Sequence, residues 1–86
     1  MLKIYGSRMC PDCVRCLNDL DKAGIAYEYL DFADSLRNLK EFLHLRDTSV
    51  LFKEFVKDGK IGIPCIVDDC GSVNFTWDNY MEKSGH

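Results

Sequence analysis

Met9-Cys10-Pro11-Asp12-Cys13 separates two stretches of different periodicity, and the arrangement of the rest of the chain depends on it. Residues 1–5 form a short, largely apolar run, which predicts a β-strand. After the motif, small or apolar side chains recur at the spacing of one buried helix face: Cys13, Cys16, Leu17, Leu20 and Gly24. Pro11 suits the first turn of this helix, because the N–H that proline lacks would have no partner there. The sequence therefore predicts a strand, a tight connection over residues 6–9 and a helix that starts at Cys10.

The position of Cys10 at a helix N-terminus has chemical consequences. Backbone N–H groups there have no partner within the helix, and the positive end of the helix dipole lies beside the sulfur. Both favour the thiolate, which is the reactive form of cysteine. Cys13 follows three residues later and can reach back to the same sulfur to close a small disulfide. This spacing is typical of a redox-active dithiol.

Two cysteines at this spacing are also half of a common metal site. A zinc site normally has a second pair of ligands, and the remaining candidates include no second C-x-x-C: Cys16, Cys65, Cys70, His44 and His86. Cys10, Cys13 and Cys16 have the C-x2-C-x2-C spacing of some iron–sulfur ligand sets, but the fourth Cys-Pro element is missing. Cys16 also lies on the apolar helix face, where cysteine behaves as a small hydrophobic residue. The redox interpretation is favoured, and a zinc or iron–sulfur module that uses the same cysteines is the alternative.

Length and composition limit the other possibilities. The chain has 86 residues, of which 47% are hydrophobic, so we expect one small folded domain over residues 1–86. A net charge of −3 provides no basic surface for nucleic acid. No run approaches the ~20 apolar residues of a membrane span, and no secretory signal precedes the first strand. We therefore expect a cytoplasmic monomer without nucleic-acid or membrane partners, whose five cysteines are reduced.

The middle of the chain predicts a βαβ unit followed by further helices. A strand over residues 25–31 has apolar groups on both faces, which predicts that both are covered. Asp34 or Ser35 can cap a helix over residues 36–45 whose inward face is Leu36, Leu39 and Leu43. A third helical stretch is predicted over residues 49–57, with an inward face of Leu51, Phe52, Phe55 and Val56.

The end of the chain predicts a hairpin and a short helix. The strands are placed at residues 65–67 and 72–75, with a turn at 68–71, and the helix at 77–82. Cys65 is expected to be a buried hydrophobic residue. Cys70 is expected to be exposed at the hairpin turn, where it can form an intermolecular disulfide or be glutathionylated.

These elements together resemble the glutaredoxins of the thioredoxin-like superfamily. The resemblance rests on the C-P-x-C motif between a strand and a helix, the βαβ unit, and Ile63-Pro64 before a hairpin. It covers residues 1–67 well and the final segment poorly. It implies an α/β, thioredoxin-like (glutaredoxin-type) fold, with a four-stranded mixed sheet flanked by helices.

The resemblance also implies a function. The protein is expected to be a small thiol–disulfide oxidoreductase that reduces protein disulfides or glutathione mixed disulfides. Cys10 would attack, and Cys13 or glutathione would resolve the mixed disulfide. No bound cofactor is expected. The expected partners are disulfide-containing client proteins and either glutathione, as co-substrate, or a thioredoxin-reductase-type reductant.

Six residues are expected to bind substrate. In the family the proline that matches Pro64 follows a cis peptide bond, and the backbone of the preceding residue, here Ile63, pairs with an extended cysteine segment. Arg8, like Arg15, is a candidate cation beside the thiolate. The remaining candidates are Pro11 in the motif, and Thr76 and Asp78 at the start of the last helix.

Three departures from the family pattern weaken the expected glutathione site. Asp12 replaces the usual aromatic residue and adds a negative charge near Cys10. Asn74-Phe75-Thr76 occupies the region of the family's Gly-Gly pair. Ser7 stands where many members carry a basic residue. The sequence therefore predicts dithiol chemistry with reduced glutathione specificity.

Overall fold

The computed structural model describes the backbone of residues 1–84 and the side chains of residues 1–81. His86, one of the metal-ligand candidates, lies outside the described residues. The strands are β1 (Leu2–Gly6), β2 (Tyr27–Asp31), β3 (Cys65–Val67) and β4 (Val73–Asn74). The helices are α1 (Pro11–Lys22), α2 (Leu36–Thr48), α3 (Lys53–Lys57) and α4 (Asp78–Ser84), with a 3₁₀ turn at Val50–Phe52.

The four strands form one mixed sheet in the order β2-β1-β3-β4. β1 runs parallel to β2, whereas β3 is antiparallel to both β1 and β4. The predicted α/β class and four-stranded mixed sheet are therefore confirmed. Among residues 1–84, no helix combines the length and the apolar composition needed to cross a membrane.

Alternate side chains of the strands pack into two cores on opposite faces of the sheet. On one face, Ile4 and Ile66 pack with residues of α1 and with Trp77, and Tyr27 and Tyr29 of the edge strand β2 cover them. On the other face, Tyr5 and Cys65 pack with Phe42 and Phe52, and Leu30 of β2 adjoins them. Both faces of β2 are therefore covered, as predicted, although the strand starts at Tyr27 rather than at residue 25.

Helix α1 begins and ends where the sequence predicts. Cys10 is the extended N-cap residue, and Pro11 takes the first helical position. At the other end, Gly24 has a φ of +72° and its N–H donates to the Asp21 carbonyl. The Ile25 N–H donates to the Leu20 carbonyl at 3.0 Å, which completes a Schellman motif. Cys13, Cys16 and Leu20 of the predicted face are buried, whereas Leu17 is partly buried and Gly24, beyond the helix end, is exposed.

The predicted inward face of α2 is wrong. Phe42 is fully buried, whereas Leu36 is 73% exposed, Leu43 is 39% exposed and Leu39 is only partly buried. The ring of Phe42 packs against the rings of Phe32 and Phe52, with centroids 5.1 Å and 5.7 Å away. An aromatic side chain buries more apolar area than leucine, so the aromatic cluster sets the rotation of the helix. Ser35 caps the helix by accepting from the Arg37 N–H.

The predicted third helix is divided, and half of its inward face is wrong. A 3₁₀ turn at Val50–Phe52 precedes α3, so the spacing of one continuous helix does not apply across the stretch. Phe52 is buried and Phe55 partly buried, as predicted, but Leu51 and Val56 are more than half exposed.

Candidate active site

Cys10 lies at the end of a four-residue turn that joins β1 to α1. Within this 7–10 turn, the Met9 N–H donates to Ser7 Oγ (3.1 Å) and the Cys10 N–H donates to the Ser7 carbonyl (3.0 Å). The Cys10 carbonyl accepts the first helical bond, from the Val14 N–H at 3.1 Å. Cys10 is partly exposed. The turn therefore presents this thiol to solvent at the N-terminus of α1.

Cys13 lies one helical turn further on and is fully buried. Burial raises the pKa of Cys13 to about 12, against the opposing effect of the Ser7 backbone N–H, and a hydrogen bond with Cys10 raises the pKa further. Cys13 therefore stays a neutral thiol behind Cys10 at neutral pH. An exposed attacking sulfur with a protected thiol beside it suits a two-step disulfide exchange.

Gly6 provides the space for the Cys13 sulfur. A Cβ added at Gly6 would lie 2.7 Å from Cys13 Sγ, too close for a stable contact. We expect Gly6→Ala to lower the free energy of unfolding by about 1–3 kcal/mol, the usual cost of overpacking. In a Cys13→Ala background, which lacks that sulfur, the same substitution should cost almost nothing. Urea unfolding of the four proteins of this cycle tests the contact, and an equal cost in both backgrounds would place the conflict elsewhere.

A groove of about 630 Å³ opens beside Cys10, and we call it the Cys10 groove. It is lined by Ser7, Met9, Cys10, Asp12, Phe55 and residues 59–63. The Ile63-Pro64 peptide bond is cis, as predicted. Among residues 1–84, no backbone group of Ile63 is hydrogen bonded. Ile63 therefore offers a donor and an acceptor to a ligand in the groove that exposes Cys10.

A second groove, of about 580 Å³, adjoins the first and contains three more of the predicted residues, Pro64, Thr76 and Asp78. Asp12, Phe55 and Ile63 line both grooves. We call the second groove the Thr76 groove. Its other lining residues are Arg15, Asp19, Pro64, Phe75, Thr76, Trp77 and Asp78. The structure thus brings Ile63, Pro64, Thr76 and Asp78 together on one side of Cys10.

Arg8 and Pro11 line neither of these grooves. They line a third depression, which shares Met9 with the Cys10 groove and Arg15 and Asp19 with the Thr76 groove. The Arg8 guanidinium lies 3.6 Å from the Asp31 carboxylate and 3.9 Å from that of Asp34, and 5.1 Å from the centroid of the Tyr29 ring. The Arg8 side chain is therefore engaged by β2 and the residues after it, and lines neither the Cys10 groove nor the Thr76 groove.

Arg15 pairs with Asp12 instead of standing free beside Cys10. Its guanidinium donates to Asp12 Oδ1 at 3.2 Å and lies 5.4 Å from the centroid of the Trp77 ring. Trp77 Nε1 in turn donates to Asp19 Oδ2 at 2.8 Å. The negative charge that Asp12 brings near Cys10 is therefore partly balanced, and α1 is tied to the residue that precedes α4.

Asp31 is the site residue that sequence reasoning missed. Its side chain is only 2% exposed, and it accepts hydrogen bonds from the Ala33 N–H (2.7 Å) and the Arg8 N–H (3.1 Å). Burial by itself raises the pKa of Asp31, but the Ala33 and Arg8 N–H groups, together with Tyr29 and the Arg8 guanidinium, lower it more, so the net pKa lies below its usual value. One signal was available: β1 and β2 are consecutive strands of a βαβ unit, so their carboxyl ends lie side by side. Gly6 pairs with Asp31 in the register.

The other three cysteines take no part in either groove. Cys16 and Cys65 are fully buried, and burial raises the pKa of each to about 12. Cys70 is exposed. The described part of the chain contains no group of three or more His, Cys, Asp or Glu side chains that could hold a metal ion.

Comparisons with known proteins identify one relative of unknown activity. No protein-family model and no solved structure matches the chain. A protein of Haemophilus influenzae, described as uncharacterized, is 34% identical to it over 70 residues. The match covers 81% of each chain, so it extends over most of both proteins. The chain belongs to the same family as this uncharacterized Haemophilus influenzae protein.

Proposed function

We propose that the protein is a small glutaredoxin-like thiol–disulfide oxidoreductase, with Cys10 as the attacking thiol and Cys13 as the resolving thiol. The observation that carries the proposal is the contrast between the two sulfurs. Cys10 is partly exposed at the N-terminus of α1, and Cys13 is buried behind it as a neutral thiol. The strand order β2-β1-β3-β4, with helices on both faces, supports the thioredoxin-like fold that the resemblance implies.

The proposed reaction has two exchange steps. The Cys10 thiolate attacks one sulfur of a client disulfide; a new S–S bond forms, and the other client sulfur leaves as a thiolate and takes up a proton. Cys13 then loses its proton and attacks the Cys10 sulfur, which releases the second client thiolate. The client gains two electrons, and the protein is left with a Cys10–Cys13 disulfide. Glutathione or a thioredoxin-reductase-type reductant would restore the dithiol.

The Cys10 groove fits an extended segment on both sides of the client cysteine. The backbone N–H and C=O of Ile63 can pair with such a segment as a short added strand, independent of its side chains. Met9, Phe55 and Ile61 form apolar walls that can contact the side chains of the residues before and after the client cysteine. This surface supports peptide and protein disulfides as substrates.

The Thr76 groove offers little that is specific for glutathione. Glutathione carries two carboxylates and one amine, whereas this groove contains Asp12, Asp19 and Asp78, with Arg15 as its one cation among the described lining residues. Arg15 already donates to Asp12. By the family resemblance Asp78 is the candidate acceptor for the amine, but the carboxylates would meet negative charge. We therefore propose that glutathione is a co-substrate without a preferred site.

The test is a kinetic comparison of two substrates that share one peptide sequence. We expect a glutathionylated peptide and a non-glutathione disulfide of that peptide to have kcat/KM values within about tenfold of each other. Each charge-assisted hydrogen bond to glutathione would raise kcat/KM for the glutathionylated peptide by roughly ten- to a hundredfold, and the Thr76 groove offers few such bonds. Each substrate is assayed with glutathione and glutathione reductase, and then with a thioredoxin reductase system, which identifies the electron donor.

Matched charge variants complete the comparison. Because glutathione has no preferred site in this proposal, Asp78→Asn should change KM little for either substrate. A rise in KM confined to the glutathionylated peptide would show that Asp78 accepts the glutathione amine. Asp47→Asn makes the same charge change on an exposed residue of α2 that lies outside both grooves. It should leave KM unchanged for both substrates. A preference of more than about a hundredfold for the glutathionylated peptide would contradict the proposed lack of specificity. The absence of turnover with every substrate and reductant would contradict the proposed function itself.

A further inference from the structure

The 7–10 turn that carries Cys10 is held in place by a residue of the neighbouring strand. The N–H groups of Met9 and Cys10 donate to Ser7, so both of these bonds lie within the turn and do not connect it to the rest of the fold. The Arg8 N–H is different, because it donates to Asp31 Oδ2 at the end of β2. This bond connects the turn to a rigid element of the sheet.

Asp31 is well suited to fix that connection. Its other oxygen, Oδ1, accepts from the Ala33 N–H, so the carboxylate is held from two sides. Its backbone carbonyl accepts from Asn38 Nδ2 at 2.9 Å, which ties β2 to α2. Parallel pairing with Gly6 places Asp31 directly beside the residue that contacts Cys13 Sγ. A buried carboxylate with two N–H donors makes stronger bonds than a neutral acceptor would.

The buried charge of Asp31 has a cation beside it. Arg8 lies over it, and the Arg8 side chain is itself 64% exposed. Asp34, which also faces Arg8, is 62% exposed and lies 3.9 Å from the guanidinium. Asp31 and Asp34 therefore share the cation, but of the two it is Asp31 that bonds to the backbone of the turn.

We propose that Asp31 is a positioning residue for Cys10: its carboxylate anchors the 7–10 turn through the Arg8 N–H and so holds the Cys10 sulfur at the helix N-terminus beside Cys13. Its importance for catalysis rests on the proposed function, whereas its effect on the turn and on the Cys10 thiol does not. Loss of the anchor lets the turn move and takes Cys10 away from the helix dipole, which favours the thiolate.

The experiment compares Asp31→Ala and Asp31→Asn with Asp34→Asn, all in a Cys70→Ser background so that Cys10 is the exposed thiol among the described cysteines. Three quantities are measured: hydrogen exchange of the Arg8 amide by NMR, the rate of Cys10 alkylation by iodoacetamide, and the equilibrium between dithiol and disulfide in a dithiothreitol buffer. Circular dichroism and thermal unfolding confirm that each variant is folded.

We expect Asp31→Ala to speed Arg8 amide exchange by about tenfold or more, because a charge-assisted hydrogen bond is lost. Cys10 alkylation should slow by about two- to fivefold, the range of a lost helix-dipole interaction. The dithiol–disulfide equilibrium should shift, whereas a residue that only stabilised the fold would leave it unchanged. Asp31→Asn keeps one acceptor oxygen and should give part of each effect. Asp34→Asn removes only the second acidic partner of Arg8. Its Arg8 exchange rate, Cys10 alkylation rate and dithiol–disulfide equilibrium should equal those of the background protein.

Three results would overturn the inference. Folded Asp31 variants with unchanged Arg8 exchange and Cys10 alkylation would show that the bond does not hold the turn. Equal effects of Asp34→Asn would show that charge near Arg8, not the backbone bond, matters. An unchanged dithiol–disulfide equilibrium would reduce Asp31 to a structural residue. If Asp31→Ala does not fold, Asp31→Asn decides the question. If the background protein forms no Cys10–Cys13 disulfide but alkylation and exchange respond as expected, the proposed function fails and the positioning role stands.

Discussion

Cys10→Ser should lower disulfide exchange by at least about a thousandfold, because it removes the attacking sulfur. A serine hydroxyl is not ionised at neutral pH and cannot replace the thiolate. Cys13 cannot take over, since it is fully buried and burial raises its pKa to about 12. Cys13→Ser should behave differently. It keeps the attacking thiol, so a mixed disulfide with the substrate should form and accumulate. Reduction kinetics with a peptide disulfide, followed by intact-mass analysis and peptide mapping, measure both effects.

Cys70→Ser is the control for this comparison. Cys70 is exposed but lies at the hairpin turn, outside both grooves, so its replacement should leave exchange unchanged. The assignment of roles would be wrong if Cys10→Ser retained substantial activity. It would also be wrong if the adducts of Cys13→Ser were spread over several cysteines.

Phe42→Ala should lower the free energy of unfolding by about 3–5 kcal/mol. Phe42 is fully buried and contacts the rings of Phe32 and Phe52, so its removal leaves a cavity in the core between α2 and the sheet. This loss is large against the 5–15 kcal/mol that stabilises a typical domain. Phe42→Leu retains most of the volume and provides a second, milder variant whose unfolding curve remains measurable.

Leu36→Ala is the matched control in the same helix. Leu36 is 73% exposed, so its truncation should change stability by no more than about 0.5 kcal/mol. Urea unfolding of these variants distinguishes the observed inward face of α2 from the one that the leucine spacing predicted. Equal losses for Phe42→Ala and Leu36→Ala would contradict the observed packing.

The features that were predicted correctly depend on local signals. Pro11 and Gly24 mark the two ends of α1, and the spacing of Cys13, Cys16 and Leu20 marks its buried face. Because cap residues and periodicity act over a few positions, one sequence is enough to recognise them. Strand β3 and its hairpin turn were found on the same basis.

The features that were missed depend on contacts between distant parts of the chain. The rotation of α2 is set by rings from β1, the 3₁₀ turn and the residue after β2, and the leucine spacing within the helix does not report these partners. The same holds at the site. Arg8 is 23 residues from Asp31 and Asp19 is 58 residues from Trp77, and both contacts depend on the sheet register and on the placement of α4.

The proposed redox pair is tested most directly by mapping the disulfide that the wild-type protein forms in buffers of oxidised and reduced dithiothreitol. We expect one reversible disulfide, between Cys10 and Cys13, with Cys16, Cys65 and Cys70 remaining as thiols. Oxidation should lower the intact mass by about two hydrogen atoms, and mapping of the peptides should join the two motif cysteines. A disulfide that involves any other cysteine, or no disulfide under strongly oxidising conditions, would contradict the central claim.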